Sequence, residues 1–231
     1  MRYLFILALL LTICEAHLPN WIPSTPHIVV IANGEPPAKE ILTPYLSDKY
    51  TLVAVDGGLN FCAKENLVPE LILGDFDSAL PSSLEKFCHV LQFETPNQDK
   101  TDLEKALEIL FAYPIESVTV IGALGKRVDH ALTNLYLLLR YKGKLIFETN
   151  LERCTCLPSS YTFSCNKGET LSLIPMDGPA QGIYTRGLKW ELNNGSLDAN
   201  FIGISNVALE ETISINYTSG DLLLFINRIA Q

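Results

Sequence analysis

The segment Leu71-Ile-Leu-Gly-Asp-Phe-Asp-Ser78 joins a short apolar run to a glycine and two aspartates. Continuous apolar runs of this length are typical of strands buried on both faces, as in a parallel sheet. The same pattern, an apolar run that ends in a polar or glycine residue, recurs at residues 27–31, 51–55, 118–121 and 145–147. Helix-like segments separate the runs, at residues 38–46, 59–65, 82–87, 101–111 and 130–141. We therefore predict an α/β fold with a mainly parallel sheet flanked by helices.

The second half of the chain has a different pattern. Beyond residue 150 the helical periodicity ends, and strand-like runs at residues 170–174, 212–217 and 221–226 are separated by turn-forming residues. This pattern is typical of an antiparallel β-sandwich. We predict a hydrophobic leader and linker at residues 1–26, an α/β domain at residues 27–150, and a smaller β-sandwich domain at residues 151–231.

The composition limits the class of ligand. The chain has 231 residues, 48% of them hydrophobic, and a formal net charge of −9. A nucleic-acid-binding protein needs a basic face to neutralise phosphates, so this balance argues against that function. An acidic protein that binds a phosphate ligand needs a divalent cation between the two. The six cysteines include no CxxC pair, which predicts reduced thiols and argues against a structural zinc site.

Asp75 and Asp77 follow a predicted buried strand, at the edge of the sheet where ligands bind in α/β proteins. Two neighbouring carboxylates are costly unless a cation neutralises them. Mg²⁺ is the natural candidate, because it takes hard oxygen ligands and shares them with phosphates. The alternative is local: Asp75 caps a helix, and Asp77 with Ser78 forms a turn.

Three further polar motifs surround this pair in the predicted topology. Asp56-Gly57-Gly58 follows another strand, and its glycines would let the backbone approach a ligand closely. In Asp99-Lys-Thr-Asp102, Thr101 is a predicted helix N-cap with Glu104 as its capping-box partner. Gly122-Ala-Leu-Gly-Lys-Arg-Val-Asp-His130 predicts a glycine-rich, phosphate-facing loop before a helix, with Arg127 as a planar donor.

Taken in order, these motifs resemble the thiamine pyrophosphokinase family. The matching segments are Asp56-Gly-Gly58, Gly74-Asp-Phe-Asp-Ser78, Gln98-Asp-Lys-Thr-Asp102 and Gly125-Lys-Arg-Val-Asp-His130. In the second half, Gly182-Ile-Tyr-Thr-Arg-Gly-Leu-Lys-Trp190 and Ile204-Ser-Asn206 also match. The resemblance extends from residue 28 to the C-terminus.

The resemblance implies a homodimer that transfers diphosphate from ATP to thiamine with Mg²⁺ as cofactor. It places Mg²⁺ at Asp75, Asp77 and Asp102, and stacks Trp190 on the thiamine pyrimidine from the partner subunit. The residues that it assigns to catalysis are Asp75, Asp77, Asp99, Asp102, Arg127 and Asp129. Those that it assigns to binding are Asp56, Gly57, Gly74, Ser78, Thr101, Gly122, Lys126, Trp190, Ser205 and Asn206.

Two positions depart from the family pattern, and several functions stay open. Lys126 stands where the family usually has a second glycine, and Arg186 stands where a small hydroxylated residue is usual. The general base is Asp102 or Asp99. A metal-dependent phosphohydrolase, a pyrophosphokinase for another alcohol such as a pterin, and a non-catalytic thiamine-binding protein remain as alternatives.

The N-terminus resembles a secretory signal. Met1-Arg2 precedes an apolar run that ends at Cys14-Glu-Ala16, a small-x-small pattern typical of cleavage sites. The run is short for a transmembrane helix, so no stable membrane association is expected. A mis-assigned start and a helix packed on the domain are the alternatives. An enzyme that consumes ATP is expected where ATP is present, and we therefore predict a cytoplasmic location.

Overall fold

The computed structural model describes residues 18–228. The signal-like segment of residues 1–16 lies outside the described residues, so its three interpretations stay untested. Among the described residues, no helix has both the length and the apolar character needed to cross a membrane.

The first part of the chain forms a parallel sheet, as predicted. Its strands are β1 His27–Ile31, β2 Thr51–Val55, β3 Leu71–Gly74, β4 Leu91–Glu94, β5 Ser117–Ile121 and β6 Leu145–Glu148, in the spatial order β4-β3-β2-β1-β5-β6. Its helices are α1 Lys39–Leu42, α2 Gly58–Glu65, α3 Pro81–Lys86, α4 Asp102–Leu110 and α5 Val128–Arg140. All neighbouring strands in this part run parallel.

Helices cover both faces of this parallel sheet. α4 and α5 pack on one face through Leu107 and Leu138, whereas α1 and α2 pack on the other through Leu42 and Leu59. Most residues of β1, β2, β3 and β5 are buried between these layers, which explains their continuous apolar pattern, whereas the edge strand β4 is partly exposed.

The strand order reverses direction between β1 and β5. From β1 the chain builds outward to β4, and it then returns to place β5 on the other side of β1. The two strand ends are tied together, because Ala32 N donates to Ile121 O (2.9 Å) and Gly34 N donates to Gly122 O (2.8 Å). Such a reversal opens a crevice at the carboxyl edge of the sheet, where ligands bind in this class of fold.

The second part of the chain adds antiparallel strands to the same sheet. They are β7 Glu152–Cys156, β8 Ser160–Ser164, β9 Thr170–Arg186, β10 Gly195–Leu197, β11 Gly203–Val207, β12 Thr212–Asn216 and β13 Ser219–Asn227. β9 is the central strand of this part, since it pairs with β10, β11, β12 and β13. The predicted fold class is confirmed: a parallel sheet with flanking helices is followed by antiparallel strands. β7 pairs with β6 across residue 150, so the predicted domain boundary there stays a prediction.

Several predicted elements differ from those observed. The helix predicted at residues 38–46 is only α1 followed by a 3₁₀ turn, Thr43–Tyr45, because Pro44 has no amide hydrogen to continue it. Thr101 caps α4 as predicted, by accepting from Glu104 N (3.2 Å). The Glu104 side chain does not complete a capping box, because it binds Arg140 instead. β9 is far longer than the run predicted at residues 170–174.

The described cysteines are free thiols, as predicted. Cys62, Cys154, Cys156 and Cys165 are buried, and Cys88 is exposed. Burial raises the pKa of Cys62 to about 12 and that of Cys156 to about 11, so both stay protonated at neutral pH.

A buried carboxylate joins the two parts of the chain. Glu148, at the end of β6, accepts from Tyr45 Oη (2.6 Å) and Arg153 Nε (2.6 Å), and it also binds Arg228. Its side chain is fully buried, whereas Arg153 and Arg228 remain 47% and 32% exposed. One carboxylate therefore holds the 3₁₀ turn, β7 and the end of the described chain.

We expect Glu148→Gln to lower the free energy of unfolding by about 3 kcal/mol, because it leaves two guanidinium groups without their buried anion. Urea denaturation measures the change. The control is Glu116→Gln, which removes an exposed carboxylate 3.6 Å from His27 and should cost less than about 0.5 kcal/mol. Equal denaturation midpoints for the two variants would contradict the prediction.

Candidate active site

A cleft of about 470 Å³ lies at the carboxyl edge of the parallel sheet. The ends of β1, β2, β3 and β5 line it, together with the first turns of α4 and α5. The predicted site residues that line this cleft are Asp56, Asp75, Asp77, Ser78, Thr101, Asp102, Gly122, Lys126 and Arg127. The sequence motifs that follow separate strands are thus brought to one place.

Three carboxylates form the centre of the cleft. Asp56, Asp75 and Asp77 each offer an oxygen, and these atoms lie within 4.8 Å of one another. The sequence predicted Asp102 as the third member, but the structure groups Asp56 with the pair. β2 and β3 are neighbouring strands, so their carboxyl ends bring Asp56 next to Asp75. Hard oxygen ligands at this spacing fit a divalent cation such as Mg²⁺.

The backbone around Asp56 is shaped to hold its side chain in the group. Asp56 has a left-handed φ of 46°. Its Oδ1 accepts from Ser78 N (3.3 Å). Gly74 has a φ of 147°, which other residues rarely adopt, and a Cβ there would lie 3.1 Å from Asp56 Cα, so glycine is favoured where the two strand ends meet. Asn60 fixes the neighbouring turn, because its side chain bonds Ser78 O (2.8 Å) and Leu80 N (2.8 Å).

The carboxylates differ in their electrostatic surroundings. Burial raises the pKa of Asp56, and the charge of Asp102 acts in the same direction. In contrast, the pKa of Asp75 is lowered, chiefly because Gln98 Nε2 donates to its Oδ2 at 2.9 Å. A cation that binds the group would relieve the unfavourable charge on Asp56.

Asp102 lines the cleft from the α4 side. Its Oδ1 lies 2.8 Å from Lys105 Nζ, which also donates to Thr95 O (2.6 Å) and Asn97 O (2.9 Å). Lys105 was not among the predicted residues. Its position three residues after Asp102 on a predicted helix could have indicated this ion pair. Asp99 does not line the cleft.

The predicted phosphate loop lies between β5 and α5. Lys126 adopts a left-handed φ of 58°, a backbone conformation that favours glycine. Lys126 Nζ donates to Asn33 O (2.6 Å), across the β1–β5 crevice. A further residue that the sequence did not reveal is the buried Asn134, which donates to Ala123 O (2.6 Å) and fixes the loop on α5.

Arg127 and Asp129 form an ion pair at the start of α5. Arg127 Nη2 lies 2.5 Å from Asp129 Oδ2, and both side chains are exposed. The hydrogen bonds from Arg127 lower the pKa of Asp129 to about 2. Of the pair, only Arg127 lines the cleft. Asp129 therefore restrains the guanidinium group at the cleft.

A second, apolar hollow of about 190 Å³ lies among the antiparallel strands. Leucine and isoleucine side chains line most of it, and Trp190, Phe201 and Asn206 also belong to the lining. Trp190 is 56% exposed. Ser205 does not line the hollow; it has a left-handed φ of 57°, and its amide donates to Ser172 Oγ (3.1 Å).

Arg186 forms an ion pair with a carboxylate, Glu191, near this hollow. Its Nη1 lies 2.8 Å from Glu191 Oε2, and its side chain is 71% exposed. Glu191 Oε1 also accepts from Gly187 N (2.8 Å). Arg186 does not line the hollow, so its departure from the family pattern leaves the lining unchanged.

Comparisons with known proteins agree in both halves of the chain. The profile described as thiamin pyrophosphokinase, catalytic domain, matches residues 42–147, and the one described as thiamin pyrophosphokinase, vitamin B1 binding domain, matches residues 160–222. Thiamine pyrophosphokinase 1 of Oryza sativa subsp. japonica is 30% identical over 88% of each chain. Thiamine pyrophosphokinase 2 of Arabidopsis thaliana is 28% identical over 88% of this chain and 86% of that protein.

A solved structure has the same fold. The crystal structure of thiamine pyrophosphokinase from Bacillus subtilis superposes with a TM-score of 0.78 at 21% identity, covering 87% of this chain and 98% of the other. The matching profiles define the class of protein as a transferase, which is built here from an α/β part joined to an antiparallel β part. The chain belongs to the thiamine pyrophosphokinase family. This membership confirms the enzyme class predicted from the motifs.

Proposed function

We propose that the chain transfers the diphosphate group of Mg·ATP to the primary hydroxyl of thiamine, which forms thiamine diphosphate and AMP. The observation that carries the proposal is the group of three carboxylates in the cleft, since a divalent cation held between these carboxylates and phosphate oxygens offsets the negative charge of both. We assign ATP and Mg²⁺ to residues 27–150 and thiamine to residues 151–231. The separate profile matches, at residues 42–147 and 160–222, support this division.

Asp56, Asp75 and Asp77 are the residues that would hold Mg²⁺, and Asp102 lines the same cleft. The bound ion would neutralise phosphate oxygens and favour in-line attack at the β-phosphorus. The protein positions these carboxylates: the Gln98 side chain donates to Asp75, and the backbone amide of Ser78 donates to Asp56.

Lys126, Arg127 and the start of α5 would bind the phosphates of the nucleotide. The free amide groups at a helix start and a planar guanidinium group both suit phosphate oxygens. Arg127 is restrained by Asp129, so less side-chain freedom is lost when it binds. Asp102 is our choice for the group that accepts the hydroxyl proton, because it lines the cleft and Asp99 does not.

Trp190 would stack on thiamine at the apolar hollow, and the partner subunit would complete the site. The cleft and the hollow share no lining residue in the described part of the chain, yet the reaction needs thiamine beside the phosphates. Trp190, Phe201 and Ile204 are 56%, 60% and 63% exposed, an apolar surface suited to a subunit interface. Both observations support a homodimer in which one subunit's hollow faces its partner's cleft.

Purified full-length chain with Mg·ATP and thiamine should produce AMP and thiamine diphosphate in equal amounts. EDTA should abolish both products, and excess Mg²⁺ should restore them, because the carboxylate group alone repels the phosphates. AMP release without thiamine would indicate a phosphohydrolase. Turnover only with another alcohol would indicate a different pyrophosphokinase, and thiamine binding without AMP would indicate a binding protein.

We also propose that the enzyme works in the cytoplasm, because its nucleotide substrate is abundant there. Residues 1–16 lie outside the described part of the chain, so the substrate alone supports this location. Fractionation of cells that produce the full chain, followed by mass measurement of the product, tests it. A shortened chain in the medium would contradict it.

A further inference from the structure

The side chain of Asn206 makes three hydrogen bonds to the backbone of Trp190 and Val207. Asn206 Oδ1 accepts from Trp190 N (3.1 Å) and from Val207 N (2.9 Å). Its Nδ2 donates to Trp190 O (2.7 Å). Both main-chain polar groups of Trp190 are therefore held by one amide. An asparagine with these bonds has only one N–H left for a ligand.

Three other contacts restrain the same segment. Lys189 N donates to Val207 O (2.8 Å), and Lys189 Nζ lies 4.6 Å from the centroid of the Trp190 ring. The ammonium group thus occupies one side of the ring through a cation–π contact. Leu192 N donates to Thr185 Oγ1 (2.8 Å), which anchors the other end of the segment on β9. The ring remains 56% exposed, so a surface is left for a ligand.

We propose that Asn206 is a positioning residue, which fixes the indole of Trp190 for thiamine and acts through Trp190. The inference rests on the proposed function of the hollow. It gives a specific form to the binding role that the family resemblance implied for Asn206. An exposed ring on an unrestrained loop loses conformational freedom when a ligand binds, whereas a ring fixed in advance does not. Asn206 therefore raises affinity for thiamine without a bond to it.

The first test is a double-mutant cycle on Asn206 and Trp190, with KM for thiamine as the readout. We expect Asn206→Ala to raise this KM about tenfold while KM for ATP stays within about twofold. In a Trp190→Ala background, Asn206→Ala should add less than about a twofold effect, because the ring that it positions is gone. Multiplicative effects would show that Asn206 contacts thiamine directly, and an unchanged KM in the single variant would also overturn the proposal.

The second test needs no substrate. The chain has two tryptophans, and Trp21 is buried. Iodide quenching of fluorescence therefore reports chiefly on Trp190, and Asn206→Ala should increase quenching and lower fluorescence anisotropy. Unchanged values would overturn the proposal. If the unsubstituted chain does not convert thiamine, the proposed function fails. The fluorescence test still decides whether Asn206 positions Trp190, because it uses no substrate.

Two further variants control for folding. Asn227→Ala removes an asparagine bond to Thr170 Oγ1 (3.1 Å) in the same sheet, and it should change neither the quenching nor KM for thiamine. Asn206→Asp keeps the side-chain volume and the acceptor atom but places a carboxylate oxygen against Trp190 O. It should raise KM for thiamine at least as much as alanine does, and it provides the measurement if the alanine variant is unstable. A normal KM in Asn206→Asp would contradict the role of the donated bond.

Discussion

Replacing Asp75 or Asp77 by asparagine is expected to reduce kcat by about three orders of magnitude, a loss of about 4 kcal/mol of transition-state stabilisation. The reason is the loss of a charged ligand from a group whose oxygens lie within 4.8 Å of one another. Asparagine keeps the shape of the side chain but lacks the charge that a hard divalent cation requires. Because Asp75 is only half-buried and Asp77 is exposed, the fold should be retained.

Steady-state assays at several Mg²⁺ concentrations measure this effect, and circular dichroism checks the fold. Asp48→Asn is a matched control, since Asp48 is exposed and precedes β2, at the opposite edge of the sheet from the cleft. It should retain activity within about twofold. Near-normal turnover in either the Asp75 or the Asp77 variant would contradict the assignment of the metal.

Trp190→Ala is expected to raise KM for thiamine about 30-fold, which corresponds to about 2 kcal/mol, while KM for ATP changes by less than about twofold. The expected loss combines ring stacking with the attraction between the indole and the cationic thiazolium. Since the ring is 56% exposed, its removal should cost little folding stability.

Substrate-saturation curves for each substrate, with the other held in excess, measure the two constants. Trp190→Phe keeps an aromatic face and should lose much less affinity than the alanine variant. Equal increases in KM for thiamine and KM for ATP would instead indicate a structural role for Trp190.

The motifs alone predicted the α/β fold, the position of the carboxylates at strand ends, and the family. These properties are local, because apolar runs specify buried strands and the residue after each strand must lie at the sheet edge. The sequence also predicted the N-cap at Thr101, which depends on a hydrogen bond to Glu104 N within one turn. β7 was missed because its Glu152 and Arg153 obscure the apolar pattern.

The sequence by itself determined which carboxylates reach the edge of the sheet. Only the tertiary structure decided that Asp56 joins Asp75 and Asp77, while Asp102 is paired with Lys105. It also decided that Asn206 holds the backbone of Trp190. The physical reason is that local patterns specify the type and burial of an element. Distances between side chains on different elements depend on strand order and long-range pairing, which no local pattern contains.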